Sequence, residues 1–404
     1  MLNARRFTLM APLLALALPA AAAPDPGNWQ AVLAEAEGQT VYWNAWGGDS
    51  RTNRYIDWVA EQMQAQHNID VEHVKLDDTS SAVSRVLAEK QAGNDDEGSI
   101  DLIWINGENF AAMRERDLLF GPFAESLPNF ALTHPDENPE VVTDFTLPTE
   151  GYESPWGKAQ ITFYYDSAQT ESPPQDMQTL LEWAKDNPGQ FSYPRIPDFT
   201  GSTFLKQALI ELTDQDDALY QPVEEADFEE VTAPLWAYLD ALHPHLWRSG
   251  RNFPDSGPNL RTLMSDGELS LAFSFYPTDA AVAVNEYELP ESVRSYVLED
   301  GTLGNVHFVA IPFNSPHKAG AMALANFLMS PEAQAQKQSL AMWGDHSVLD
   351  IDQLDADAQA LFEQGERHVS ELPADALSNT LPEPHPSWMT ALQDEWLERY
   401  GVDE

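Results

Sequence analysis

Residues 41–46, VYWNAW, place Val41, Trp43 and Ala45 in alternation with Tyr42, Asn44 and Trp46, the period-two pattern of a strand with two different faces. Gly47 and Gly48 let the chain turn sharply after it, and Asp49 or Ser50 can cap a helix that starts near Arg51. Tyr55, Ile56, Trp58, Val59 and Met63 continue that helix to about residue 67 at helical spacing. A strand end, a tight turn and a helix N-terminus make the place where open α/β sheets bind ligands.

The same two periods recur along the chain. Helices are expected over 28–37, 80–91, 110–116, 179–185, 204–212, 232–242, 259–265, 280–286, 318–329 and 331–340, with acidic helices completing the chain and the last around 388–400. Strands are expected over 68–74, 100–105, 158–166, 269–275 and 306–312. The run IDLIWI at 100–105 is nearly all apolar, as a parallel strand buried on both faces requires. Within 158–166, Tyr164 and Tyr165 point to opposite faces, so one at most faces a cleft. Residues 122–151, rich in proline and acid, wrap the surface. Residues 191–204 are extended and proline-rich, and their Thr200-Gly201-Ser202-Thr203 can cap the helix expected from Phe204.

Residues 1–23 carry Arg5 and Arg6, an apolar run over 7–18 and the small residues 20–23, the three parts of a cleaved secretory signal. That run is too short to span a bilayer. With no cysteine in the chain, disulfides and a lipid on an N-terminal cysteine are excluded. A periplasmic protein without stable membrane insertion is expected, acting as a monomer. About 380 residues then remain, enough for two bodies with separate cores.

Charge changes the picture most. There are 66 acidic residues against 21 basic ones, a formal net charge of -45. Such a surface repels nucleic acid and anionic lipid. The acids are spread along the whole chain, so they read as a solvation layer for a salty medium, and a halophilic source is inferred. His243-Pro244-His245 has no supporting carboxylate or cysteine at metal-ligand spacing and reads as a helix-ending turn. No GxSxG elbow or phosphate-binding P-loop is present.

Two stretches resemble the type II periplasmic solute-binding proteins of ABC importers: MSDGELSLAFSFYP at 264–277 and VHFVAIPFNSPHKAGAMALANFLMSPEAQAQ at 306–336. WNAWGGDSRTN and DLIWINGENF are most similar to the YnjB-like branch, placed near thiamine, polyamine and ferric-iron binders. The resemblance implies an α/β, two-lobed fold with a mixed five-stranded sheet in each lobe, joined by a two-strand hinge. It implies lobe one over 24–160 and 303–345, and lobe two over 161–302 and 346–404 with the C-terminal helices. It implies closure on a small solute, delivery to a membrane permease, and neither catalysis nor a cofactor.

Strand ends and helix starts then supply the cleft walls. Lobe one offers Trp43, Asn44, Trp46, Asp49, Ser50, Trp104 and Asn106; lobe two offers Tyr164, Asp198, Thr200, Ser202, Thr203, Tyr276 and Asp279. Aromatic faces beside carboxylates suit a flat or cationic organic solute such as thiamine or a polyamine. Sugars also stack on aromatics, ferric iron is the inorganic rival on the adjacent tyrosines, and a carboxylate-dependent hydrolase is the alternative of a different class. Substitution of Trp46 or Trp104 is expected to weaken binding with little loss of stability.

Overall fold

The computed structural model describes residues 24–363 and 367–401. The secretory signal expected over 1–23 therefore lies outside the described residues. The chain begins with α1 (Trp29–Ala36) and then alternates: β1 (Thr40–Trp46), α2 (Ser50–His67), β2 (Asp70–Leu76), α3 (Ser80–Gln91), β3 (Leu102–Ile105) and α4 (Gly107–Glu115). β1 pairs in parallel with β2 and β3, the arrangement that a helix after each strand imposes. All four residues of β3 are buried, as its apolar run requires.

Short 3-10 turns and a ribbon of β4 (Thr143–Asp144) and β5 (Leu147–Pro148) lead into β6 (Glu153–Gln160) and β7 (Thr162–Asp166). The strand expected over 158–166 is thus two strands in different sheets. Ile161 is the switch, its N–H turned to the carbonyl of Leu303.

Then come α5 (Met177–Asp186), α6 (Phe199–Leu212), α7 (Phe228–Leu242), α8 (Gly257–Ser265), β8 (Leu271–Ser274), α9 (Asp279–Asn285) and β9 (Val293–Tyr296). β7 lies between β8 and β9, antiparallel to both. The return strand β10 (Thr302–Ala310) rejoins the first sheet antiparallel to β3 and β6. It is followed by α10 (Lys318–Leu328), α11 (Pro331–Gln338), α12 (Ala356–Leu361), β11 (Thr380–Leu381), which pairs in parallel with the start of β10, and α13 (Pro386–Tyr400).

The larger sheet is mixed and six-stranded and the smaller has three strands, where five in each were expected. Gln190 touches the start of β8, its carbonyl accepting from Ser270 and Leu271 N–H, but the chain after it turns away, Arg195 N–H donating to the Pro254 carbonyl. Pro194 and Pro197 have no N–H to extend the ladder.

Each sheet carries its own core. β1, α1, α2, α10 and α11 enclose one, around Trp43, Tyr55, Ile56, Trp156 and Met322. β7, β8 and β9 with α5 to α8 enclose the other, around Phe163, Phe204, Leu239 and Phe273. The stretch after residue 345 divides between them. Val348, Leu349 and Leu354 pack with Val306 and Phe308 of β10, whereas Trp388, Leu392 and Trp396 of α13 enter the second core.

Candidate functional site

The two bodies meet at the start of α2. Asp49 caps that helix, accepting from Arg51 N–H at 2.7 Å, and its other oxygen takes Nη2 of Arg261, on α8, at 2.9 Å. Arg51 reaches the opposite way. Its Nη1 lies 2.8 Å from Asp279 on α9, its Nε 2.9 Å from Glu286 and its Nη2 2.8 Å from Glu288. Arg261 also meets Asp279 at 2.6 Å and Glu288 at 3.0 Å. Two arginines, one from each body, therefore share Asp279 and Glu288, and Arg54 adds a contact to Glu286. Arg51 is 2 % exposed and Asp279 6 %, so these pairs are screened far less than surface ones.

Beside this lattice stands Tyr276. Burial pushes its phenol well above the ordinary range, and the charges of Asp345, Asp49, Asp279 and Asp198 push it further. Carboxylates of both bodies thus act on Tyr276 through their charge. Its ring lies 5.5 Å from Trp343 and 6.1 Å from His307. Behind it, Trp156 is the hub of an aromatic floor, edge-on to Trp104 at 4.8 Å and to Trp43 at 5.4 Å. Asp345 lies under this floor, fully buried, with His307 Nε2 at 3.2 Å and Lys337 Nζ at 2.6 Å. Burial alone raises that carboxyl, but Lys337 and His307 hold it below its ordinary value.

Asp198 caps α6 by accepting from the N–H groups of Thr200 and Gly201 at 2.9 and 3.1 Å. Burial raises its carboxyl to about 6, against the pull of those donors. Gly201 packs against the carbonyl of Pro194, so a side chain there has no room. Glu108, in the first turn of α4, is raised to about 7 by burial, with the nearby Lys206 charge opposing. Asp144 is raised to about 8, again by burial, although it accepts from Gly107 N–H and Asn106 Nδ2. Such carboxyls gain most from a cation arriving beside them, because it stabilises the form that burial disfavours.

Among the residues expected to line a cleft, the structure brings together Asp49, Tyr276, Asp279 and, through its charge, Asp198. Tyr164, 1 % exposed, lies close enough to Asp279 for that carboxylate to add to burial in raising its phenol. Tyr165 turns instead toward Tyr296 at 5.7 Å. Trp46 is half-buried, its indole laid over Gly48, and Ser50 is exposed. Thr200 approaches Gly257 at the start of α8.

Other expected residues are committed elsewhere. Trp43 is fully buried and Trp104 is 8 % exposed, so both are integral to the aromatic floor, which corrects the expectation that Trp104 is dispensable for stability. Asn44 is buried, and among the described residues its Oδ1 has no hydrogen-bond partner. Asn106 donates to Asp144 and, at 2.6 Å, to the Val306 carbonyl. Helix α6 begins at Phe199, five residues earlier than expected. Ser202 and Thr203 therefore lie inside it, their hydroxyls donating back to the carbonyls of Asp198 and Phe199.

Sequence reasoning missed Arg51, Arg261, Trp156 and Lys206. A signal for Arg51 existed: a cation in the first turn of a helix opposes the helix dipole and needs a reason to be there. Trp156 lies in ESPWG, which carries no strand pattern.

Residues 58–350 match the model of a family described as bacterial extracellular solute-binding protein. Protein YnjB of Escherichia coli (strain K12) is 46% identical over 381 residues, 94% of this chain and 96% of that protein. A putative spermidine/putrescine ABC transporter protein from Listeria monocytogenes superposes with a TM-score of 0.63 at 14% identity, over 90% of this chain and 99% of that one. The periplasmic binding protein AfuA from Actinobacillus pleuropneumoniae, with fructose-6-phosphate bound, gives 0.64 at 12% identity over the same shares. Among the described residues no helix is long and apolar enough to cross a membrane.

Proposed function

This chain belongs to the bacterial extracellular solute-binding proteins, and from that premise we propose that it captures a small cationic organic solute between its two bodies for delivery to an ABC importer permease. The fold is that of the type II periplasmic binding proteins, and the family is one of binding proteins rather than enzymes. The finer reading has lobe one over 24–160 and 303–345 and lobe two over 161–302 and 346–404, with residues 348–362 of that tail packed on β10 of lobe one, export through the signal at 1–23, and a thiamine-like or polyamine-like solute.

The observation that carries this reading is the set of ion pairs joining the two bodies, in which the carboxylates of Asp49, Asp279, Glu286 and Glu288 outnumber Arg51, Arg54 and Arg261. Arg51 and Arg261, which line the same gap, are already covered by carboxylates, so the site favours a cation over a phosphate. A solute seated there touches both bodies, and only the closed arrangement offers all of its contacts. Binding then shifts the population toward closure, the shape a permease reads. Tyr276, Trp46, Asp198 and Thr200 contact the solute, while Trp104, Trp156 and Trp343 support Tyr276 from behind.

Mass spectrometry of the compound retained by protein purified from its host tests this, followed by small-angle scattering with and without that compound. An organic cation and a decrease in radius of gyration are expected. A retained phosphate ester or a radius unchanged by the compound would sink the reading.

A further inference from the structure

We propose that Tyr287 is the side chain by which the closed protein docks on its permease, entering an apolar socket flanked by basic groups. This rests on the reading of the chain as a carrier that delivers its solute to an ABC importer. Tyr287 follows α9 and is 94 % exposed, yet its backbone is left-handed, with φ at +63°. Its N–H donates to the Val284 carbonyl at 3.1 Å and the Glu288 N–H to that of Ala283 at 2.8 Å, the paired bonds of a helix end at which glycine is the usual residue. The Glu288 carbonyl is fixed in turn by Ser265 Oγ at 2.6 Å. A bulky side chain held in that conformation costs stability, and a ring left in solvent recovers none of it by burial. Contact with a second molecule offsets that cost; packing within the fold does not.

The residues on either side of Tyr287 tie it to closure. Glu286 and Glu288 both grip Arg51 of the other body, at 2.9 and 2.8 Å, so Tyr287 stands on the turn that the two bodies share only when they are together. Beside it opens a surface depression of about 740 Å³, lined also by Glu291, Arg294, His368 and Val369. Val369 is 59 % exposed, a second apolar side chain on the same rim. Glu291 is exposed, whereas Arg294 donates to the carbonyls of Glu291 and Val293. The formal net charge of -45 decides what can cover this patch. It repels a second copy and an anionic lipid surface, and it attracts a protein loop that presents cations beside an apolar socket.

The test places a benzoylphenylalanine photo-crosslinker at position 287 of the full-length protein, which is mixed with membrane vesicles of its host and irradiated. Mass spectrometry of the adduct should identify the membrane-spanning subunit of an ABC importer. Adding Arg51→Met, which loosens the closing contacts, should lower the yield by about threefold or more. Native protein added in excess should suppress the adduct, and Tyr287→Gly should need about tenfold more to do so. Glycine suits the left-handed turn, so Tyr287→Gly should melt no lower than the native protein. No adduct, or adducts only with lipid, a soluble protein or a second copy, overturns the proposal. So does a yield that Arg51→Met leaves unchanged, or a Tyr287→Gly protein that competes as well as the native one. A melting temperature several degrees lower for Tyr287→Gly would overturn it too, by marking the ring as structural. The compound retained by Tyr287→Gly should match that retained by the native protein, so failure of docking is read separately from failure of solute capture.

Discussion

Arg51 Nη1 and Asp279 Oδ1 meet at 2.8 Å across the gap between two separately cored bodies. Arg51 belongs to the helix that follows β1, and Asp279 to the first turn of α9. The second arginine on Asp279, Arg261, comes from Asp279's own body, so Asp279 is neutralised from both sides only when the bodies are together.

Replacing Arg51 by Met should therefore open the gap as well as destabilise the protein. Removing one member of a buried ion pair costs about 3–5 kcal/mol, and the lower end applies because Arg261 still covers Asp279. Denaturant unfolding should show that loss, and small-angle scattering of the folded protein should show a larger radius of gyration. A variant as compact as the native protein would remove Arg51 from the closing contacts.

Affinity for a monocation such as thiamine should rise with pH. The carboxyls of Asp198 and Glu108 are raised by burial to about 6 and about 7, from ordinary values of 3.8 and 4.5. A raised carboxyl contributes stability that is complete below its unfolded value and is lost as pH climbs through its folded value, so these groups stabilise the empty protein most in acid. A cation beside them reverses the preference and favours the ionised forms. Binding should thus strengthen between about pH 5 and pH 8 and release protons at the lower end. Asp198→Asn should flatten the lower part of that rise. Calorimetry in buffers of different ionisation enthalpy measures both effects, and a flat native profile would contradict them.

The two tryptophans singled out in the sequence should separate cleanly. Trp46 is half-buried over Gly48, and Trp46→Ala should weaken solute binding by about tenfold with about 1 kcal/mol or less lost in stability. Trp104 sits among Trp156, His307 and Trp343, and Trp104→Ala should cost about 3–5 kcal/mol. Paired thermal melts and titrations decide it; similar melting temperatures for the two variants would refute the distinction.

Asp345→Asn should be among the most damaging single changes. It leaves Lys337, fully buried, without its charged partner at 2.6 Å, a loss of about 3–5 kcal/mol. Lys337→Met/Asp345→Asn, which removes both charges, should recover much of that loss in a double-mutant cycle. No recovery would mean that the pair does not act as a unit.

These contrasts show which parts of the molecule were legible in the sequence. The β1 turn and α2, the buried run of β3 and the apolar α10 were readable because burial pattern, turn residues and helix cap agree locally. β6 was not: ESPWGKAQ contains Glu153, Pro155 and Gly157 and becomes a strand only because β10 pairs with it. The break at Ile161 depends on which sheet each half joins, a tertiary fact with no local signature. Asp49, Tyr276 and Asp279 were found as strand ends and helix starts. Arg51, Arg261 and Lys206 were missed because their ion-pair partners lie 177 to 237 residues away in the chain, apart from the links of Arg261 to Asp279 and Glu288.

The path of the tail bears on how such a molecule moves. Phe362 still lies on the cluster around Val306 and Phe308, whereas Ser370 exchanges hydrogen bonds with Val293 and Ser295 of β9. Among the described residues the chain after β10 therefore touches both halves, Phe362 one and Ser370 the other. Two adjacent ribbons alone permit both bending and swivelling. The later chain's contacts on both halves add to those two ribbons, so a movement of one half against the other has to break them.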